Sequence, residues 1–316
     1  MTLNYYCIDA GSQYCPCHLA KTDNCLICSL LQGKDTCDCN WQGICVYQEY
    51  FWAGGKIEER KLLLVPVVEK NFVTDKLVTI KIFIPSASLV RDYNQPGAFA
   101  FLRPENSLEY YDVPLCVMDV DESKKIIKFA VNIVGPKSKA IARSENKVLV
   151  RGPYWNGLFG LKHIKSSYNK HWLIIGRGIG QASIIPVVKN LLRGNNKITV
   201  LLDSGSIKVN LAEDELKKLG ITPQEFDLNT TFHKMRLREI IEKDGIDFVY
   251  SGGSDVQHKF IQNVLNKLSF SIPLIISNNH QLCCGEGVCG SCETLIDGEL
   301  IHFCKIQLRS EQVLGG

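Results

Sequence analysis

Four cysteines near the C-terminal end of the chain carry the clearest chemistry. Cys284, Cys289, Cys292 and Cys304 are spaced C-x4-C-x2-C-x11-C within CCGEGVCGSCETLIDGELIHFC. This is the thiolate spacing of a plant-type [2Fe–2S] site, whose chemistry is one-electron transfer. Gly285, Gly287 and Gly290 lie between the first three thiols. A backbone wrapped around a cluster must turn sharply, aim N–H groups at sulfur and adopt positive φ, all of which glycine does without steric cost. Zinc is the competing metal. Structural zinc sites usually present paired C-x2-4-C knuckles, and here the fourth cysteine stands alone after a long gap. Cys283 could in principle swap roles with its neighbour, but the x4 spacing favours Cys284 as ligand and leaves Cys283 as a packed thiol.

A second group of thiols lies at the other end: Cys7, Cys15, Cys17, Cys25, Cys28, Cys37, Cys39 and Cys45. Pro16, Gly33, Gly43 and several Asp and Asn residues punctuate them, and no stretch has the apolar periodicity of a self-sufficient core. Such a segment calls for a staple, and inside a cell the staple is bound metal. Cys25-x2-Cys28 is a good metal knuckle, whereas the C-x-C pairs Cys15/Cys17 and Cys37/Cys39 are less typical of zinc. An additional iron–sulfur centre is favoured over zinc, and the order of the cysteines does not tell which four share a metal.

Eight cysteines fall between Cys7 and Cys45 and five between Cys283 and Cys304; Cys116 alone lies between them, so two redox segments flank a cysteine-poor middle. Fourteen thiols in a chain without a basic–apolar leader (MTLNYYCIDA) point to metal chemistry in the cytoplasm rather than to disulfides. No apolar run is long enough to span a bilayer. A formal net charge of +3 is too small to imply nucleic acid or a membrane surface as partner.

The elements that must position these groups follow from periodicity. Between about Lys61 and Val150, the stretches KLLLVPVVEK, KLVTIKIFIP, AFAFLRP, PLCVMDVD, KIIKFAVNIV and KVLVRGP are short, β-branched and bounded by turn residues. They predict an antiparallel barrel or sandwich. After Gly160 strands alternate with helices: HWLIIGRGIG, then QASIIPVVKNLLRG, KITVLLDSGS, AEDELKKLG, KMRLREIIEKDG, DFVYSGGSD, VQHKFIQNVLNKLS and PLIISNN. That alternation predicts an open parallel sheet.

Two strand-to-helix turns there suit phosphate. Gly176-Arg-Gly178-Ile-Gly180 opens one helix and Ser251-Gly252-Gly253-Ser254-Asp255 opens another. Helix N-termini attract pyrophosphate, and both turns fall at the carboxyl edge of the sheet, where ligands bind. Asp203 ends the second strand, either as a turn residue or as a ribose ligand. His163, His171, His258 and His302 are scattered and form no acid–base pair.

The order of parts resembles the ferredoxin–NADP reductase superfamily, in the branch of the iron–sulfur electron-transfer subunits of two-subunit dihydroorotate dehydrogenases. The small subunits of the electron-bifurcating NADH-dependent ferredoxin:NADP oxidoreductase and of sulfide dehydrogenase are close relatives. Over about residues 60–316, Pro96-Gly97-Ala-Phe99 resembles the P-G-x-F strand, and Gly152-Pro153 to Gly157 the segment closing the barrel. Gly176 to Gly180 matches the glycine-rich nucleotide turn, and the four C-terminal cysteines match one for one.

The resemblance implies an α/β plus all-β, ferredoxin reductase-like fold in four parts. These are a cysteine-rich metal segment (1–52), a β-barrel flavin domain (53–160), an α/β nucleotide-binding-like domain (161–280) and a [2Fe–2S] module (281–316). It implies FAD held near Pro114, Leu115, Cys116, Gly135, Lys137, Ser138 and Gly152. It places NAD(H) or NADP(H) near Gly176, Gly178, Gly180, Asp203, Gly252 and Gly253. Asp203 would repel a 2′-phosphate, which favours NADH. The implied role is an FAD- and Fe–S-dependent oxidoreductase subunit in a hetero-oligomer, with a larger catalytic flavoprotein subunit, ferredoxin or both as partners, suited to an anaerobe.

The chain departs from the pattern at several points. The flavin strand R-P-x-S reads Asp112-Val113-Pro114-Leu115-Cys116, without the arginine. Gly135-Pro136-Lys137-Ser138 stands for G-x-G-T, Ser183 for a proline, and Ser251-Gly252-Gly253 for C-G-P. Two other readings therefore stand beside the first: a ferredoxin-docking module with a degenerate nucleotide site, and a zinc-stapled scaffold that clamps a partner.

Overall fold

The computed structural model describes residues 5–296 and 298–315. The start of the N-terminal stretch read for a leader lies outside them. The chain divides into two compact units, one made of residues 1–62 with 280–308, the other of residues 63–279 with 309–315.

In chain order the first unit opens with β1 (Tyr6–Cys7), two 3-10 turns and α1 (Val46–Trp52). Contrary to the sequence expectation, residues 1–52 do have a small core. Ala20, Cys25, Cys28, Leu31 and Val46 are buried together, with Ile27, Trp41 and Tyr50 against them. Periodicity does not find this core because two of its members are thiols, which pack as small hydrophobes.

The second unit begins with the barrel: β2 (Leu62–Thr74), β3 (Leu77–Phe83), α2 (Ala87–Tyr93), β4 (Phe99–Pro104), β5 (Val113–Asp121), β6 (Ile126–Asn132), α3 (Pro136–Arg143) and β7 (Lys147–Tyr154). All six strands read from the sequence are present, closed in the order β2-β3-β6-β5-β4-β7. Strand β3 is buried on both faces, whereas much of β2 is exposed. The two segments matched at the barrel's end meet, for Gly157 donates its N–H to the Gly97 carbonyl at 2.9 Å.

There follow β8 (Leu158–Phe159), α4 (Leu161–Lys165), β9 (His171–Arg177), α5 (Ile184–Arg193), β10 (Lys197–Asp203), α6 (Glu213–Lys218), β11 (Gln224–Glu225), α7 (Thr231–Lys243), β12 (Phe248–Gly252), α8 (Asp255–Leu265) and β13 (Leu274–Ser277). The sheet order is β11-β10-β9-β12-β13-β8, parallel except for β8. Strand order reverses beside β9, the switch point at which such sheets bind ligands. Register pairs Gly252 with Gly176, which sets the two glycine turns side by side.

Barrel and sheet share one core, in which Leu77, Met118 and Ala130 pack with Ala182, Ile207 and Leu211. Ion pairs Lys189–Asp119 (2.5 Å) and Lys128–Glu215 join the same two parts. The chain then returns to the first unit with β14 (Glu293–Ile296), β15 (Glu299–His302) and β16 (Ile306–Gln307), and ends in α9 (Ser310–Leu314) in the second. Strand β16 pairs antiparallel with β1, Cys7 opposite Ile306, so the two cysteine-bearing ends of the chain fold as one body. Among the described residues no helix is long and apolar enough to cross a membrane.

Candidate functional site

Within the second unit, the carboxyl ends of β9, β10, β12 and β13 and the facing strands β5 and β6 enclose a cleft of about 500 Å³. Six of the sequence-predicted residues line it: Pro114, Leu115 and Cys116 from the barrel, and Gly178, Gly180 and Gly253 from the sheet. One wall is apolar, through Leu115, Ala130, Ile179 and Ala182; the other offers Ser183, Ser206, Ser277, Asn278 and Asn279. Apolar walls with a few polar groups, in this size range, suit a ring system carried on a nucleotide.

The remaining predicted residues sit elsewhere. Gly176 and Gly252 lie behind the lining, each in close contact with the turn beside it. Gly152 is inside the barrel, where a Cβ would meet the Tyr93 hydroxyl at 2.9 Å and Ala100 at 3.3 Å. Gly135 caps α3, and the buried Ser138 hydroxyl accepts the N–H groups of Val134 (3.0 Å) and Gly135 (3.1 Å). That hydroxyl is spent on the local turn, whereas Lys137 is exposed and donates to the Asp112 carbonyl at 3.4 Å.

Asp203 is buried, and its carboxylate is used by the protein. It accepts the N–H of Gly205 (2.8 Å) and of Leu228 (2.9 Å) and pairs with Arg177 Nε at 3.1 Å. It organises the loops after β10 and β11 and anchors Arg177, which also donates to Asn229 at 2.7 Å. Ser183, expected to stand where the resembled pattern has a proline, fixes its turn by bonding: its hydroxyl donates to the Gly180 carbonyl at 2.8 Å and pairs with the Tyr250 hydroxyl at 2.6 Å.

Sequence reading misses the network behind the cleft. His258, read as one of several scattered histidines, is fully buried, its Nδ1 2.8 Å from Ser251 Oγ and its Nε2 3.1 Å from Ser277 Oγ. Asn279 reaches the same Nε2 at 3.2 Å. Burial holds this imidazole down at about 4, so it is neutral. The signal for Ser277 to Asn279 was the polar tail of the apolar run PLIISNN, at the carboxyl end of a parallel strand.

In the first unit, the loop after His280 carries the four C-terminal thiols. Gly285, Gly287 and Gly290 all have φ between 71° and 77°, the left-handed turns expected of them. The Glu286 N–H donates to Cys284 Sγ at 3.2 Å. The thiols meet pairwise, Cys304 with Cys284 and Cys292, and Cys284 with Cys289. Cys284 is held down to about 4, first by the Cys304 thiol and then, against burial, by the N–H groups of Glu286 and Val288. Cys304 is pushed up, first by its contacts with the Cys284 and Cys292 thiols and then by burial. Among the described residues no group of three or more His, Cys, Asp or Glu side chains is placed to hold a single metal ion. Cysteine thiols on a left-handed glycine loop with an N–H aimed at sulfur are the kind of donor set a two-iron cluster uses.

The N-terminal thiols behave differently. Burial raises Cys15 to about 12 and raises Cys7 and Cys25 as well. The neighbouring Cys17 adds to the rise at all three. Cys28 is buried beside Cys25 in the small core. Cys37 and Cys39 stand 4.0 Å apart at the surface, and Cys45 is also exposed.

No established family profile matches the chain. It is 24% identical over 245 residues to a homolog of the dihydroorotate dehydrogenase B (NAD(+)) electron transfer subunit from Thermotoga maritima, covering 75% of this chain and 82% of that one. The electron transfer subunit from Clostridium acetobutylicum is 25% identical over 226 residues, covering 70% of this chain and 87% of the relative. Among solved structures, a chain of the NADH-dependent reduced ferredoxin–NADP oxidoreductase superposes with a TM-score of 0.64 at 22% identity, covering 79% of this chain and 89% of that one. Phthalate dioxygenase reductase superposes with a TM-score of 0.51 at 13% identity, over 78% of this chain and 95% of its own. The fold is ferredoxin reductase-like, as the sequence predicted.

Proposed function

We propose that this chain is the electron-transfer flavoprotein subunit of a hetero-oligomeric oxidoreductase. It holds FAD in the cleft of the second unit and a [2Fe–2S] cluster on Cys284, Cys289, Cys292 and Cys304. It passes electrons between NADH or ferredoxin and a larger catalytic flavoprotein subunit. The observation that carries this reading is the pairing, in one chain, of the closed barrel and its cleft with a four-thiol loop of ferredoxin spacing. Bound flavin supplies the exchange between two-electron hydride and one-electron carriers, and a [2Fe–2S] centre carries single electrons.

The chain's own residues divide the work. Leu115, Cys116 and Ala130 give the ring an apolar face along the barrel. Lys137, at the start of α3, is the cation offered to a flavin phosphate, and it stands in for the arginine missing from this flavin strand. The Gly178–Gly180 and Gly253 turns take the nucleotide phosphates. With Asp203 already engaged, Arg177 and Ser206 are left to face the ribose. An additional metal, iron–sulfur or zinc, is assigned to the eight N-terminal thiols, and holding it requires them to draw closer than they stand, since among the described residues no three are placed around one ion.

One observation favours the second reading, a nucleotide-independent ferredoxin-docking module. Ser251 stands where relatives carry a cysteine over the nicotinamide. It is fully buried, its hydroxyl held by His258 and by Gln257 (3.0 Å). Anaerobic titration of the purified protein with NADH separates the two. Stoichiometric bleaching of flavin absorbance supports NADH linkage. Bleaching by reduced ferredoxin alone moves the function to the docking module.

A further inference from the structure

Glu286 is the only residue with a side chain in the Gly285-Glu286-Gly287 turn of the cysteine loop, so it alone can anchor that turn. Its carboxylate is fixed from two sides, by Lys305 Nζ at 3.0 Å and by Arg60 Nη1 at 3.3 Å. Lys305 directly follows Cys304 and is fully buried. Its ammonium also reaches Asp9 at 2.6 Å, and Arg60 reaches the other Asp9 oxygen at 2.7 Å. Two cations and two carboxylates thus close a ring, with Asp9 and Arg60 supplied by the N-terminal stretch and Glu286 and Lys305 by the cysteine loop. The Arg60 guanidinium stacks over Tyr14 at 4.0 Å, and a Cβ on Gly287 would meet Leu19 and the Lys305 stem, so the ring is also packed.

Buried ions so arranged are costly unless all are paired, so the ring is weak evidence of stability, and what it fixes is the geometry and charge around the loop it holds. Here the field falls on the thiol loop. We propose that Asp9, Arg60, Glu286 and Lys305 form a charge frame that positions the cysteine loop and sets the reduction potential of the centre it holds. This rests on the reading that Cys284, Cys289, Cys292 and Cys304 carry a [2Fe–2S] cluster. The N-terminal segment is then a working part of the C-terminal redox site. Glu286, clamped through its carboxylate, keeps its N–H on Cys284 Sγ. The frame is neutral as built. Reduction adds one negative charge to the cluster, so removing a frame cation disfavours it and removing a frame anion favours it.

The test uses the full chain, reconstituted anaerobically, with iron and sulfide assays and a potentiometric titration followed by electron paramagnetic resonance. The expected results are a lower midpoint potential for Lys305→Met, a higher one for Asp9→Asn, and a return toward the wild-type value in the double variant. A merely structural role would not move the two single variants in opposite directions. Unchanged potentials, or shifts of the same sign, overturn the proposal. If Lys305→Met yields no loaded protein, Asp9→Asn decides alone, and anything but an upward shift overturns it. Wild-type protein with no iron on the C-terminal thiols defeats the underlying reading instead, a distinct result.

Discussion

A Cβ on Gly180 would stand 2.5 Å from the carbonyl of Gly252, and a Cβ on Gly252 would stand 2.6 Å from the carbonyl oxygen of Gly180. The two turns at the head of the cleft therefore share one space, and neither can carry a side chain while the other keeps its path. Gly180→Ala must displace backbone rather than a flexible side chain, at a cost of roughly 1–3 kcal/mol. The expected outcome is a lower Tm together with loss of flavin or nucleotide retention. Thermal denaturation and the bound flavin-to-protein ratio check it; a variant with wild-type values for both would show that the turns can separate freely.

The thiol loop predicts a sharp contrast between neighbours. Contrary to the packed thiol expected from the sequence, Cys283 is exposed, its Sγ 3.0 Å from the Ser291 hydroxyl, whereas Cys284 accepts the Glu286 N–H and meets Cys304. Cys284→Ser and Cys304→Ser should lose the visible absorbance and the electron paramagnetic resonance of the C-terminal centre. Cys283→Ser should keep both. Iron content per chain, measured on anaerobically purified variants, gives the answer.

In the barrel, Asp112 pairs with Arg103 at 2.8 Å and Arg151 at 3.1 Å, and the Arg103 and Asp112 side chains are only 6% and 9% exposed. Removing the carboxylate leaves two guanidiniums facing each other in a poorly solvated seam. Asp112→Ala should cost about 3–5 kcal/mol, the range for breaking a buried pair by deleting one partner. Urea denaturation measures it. The more conservative Asp112→Asn, which retains one acceptor oxygen, should cost less.

His258 gives the stability a pH dependence of known sign. Burial holds its folded value at about 4 against an ordinary 6.5. Above 6.5 neither folded nor unfolded chain carries this proton, and stability is complete. As pH falls from 6.5 toward 4 the unfolded chain takes up a proton that the folded chain refuses, so stability drops, by about 2 kcal/mol at pH 5 and about 3 kcal/mol in full. His171, also held down by burial, acts in the same sense. His258→Gln should flatten the slope between pH 7 and 5 in urea titrations; an unchanged slope would assign it to other groups.

Much of the barrel was legible because its strands alternate or run apolar within clear turn signals, and β3 to β7 bury what those patterns say they bury. The parallel sheet was legible for the same reason, down to the glycine turns after β9 and β12. Helix α3 was not, because PKSKAIAR has too few apolar residues to show a period, and its cap comes from Ser138 folding back on Gly135. The thiol loop was legible from spacing. The ring that anchors it was not: Lys305 and Asp9 are 296 positions apart, and each reads on its own as a solvated surface charge. The network around His258 escaped for a like reason, since only the fold brings Ser251, Ser277 and Asn279 to one imidazole.

A chain that relays electrons as proposed must carry both flavin and a two-iron cluster. The most direct measurement is the flavin, iron and acid-labile sulfide content of anaerobically purified protein, with the electron paramagnetic resonance spectrum of its dithionite-reduced form. The expected result is about one FAD per chain and a low-temperature signal of a reduced two-iron centre, one that disappears in Cys304→Ser. Colourless protein with zinc as its sole metal and no extractable flavin would contradict it.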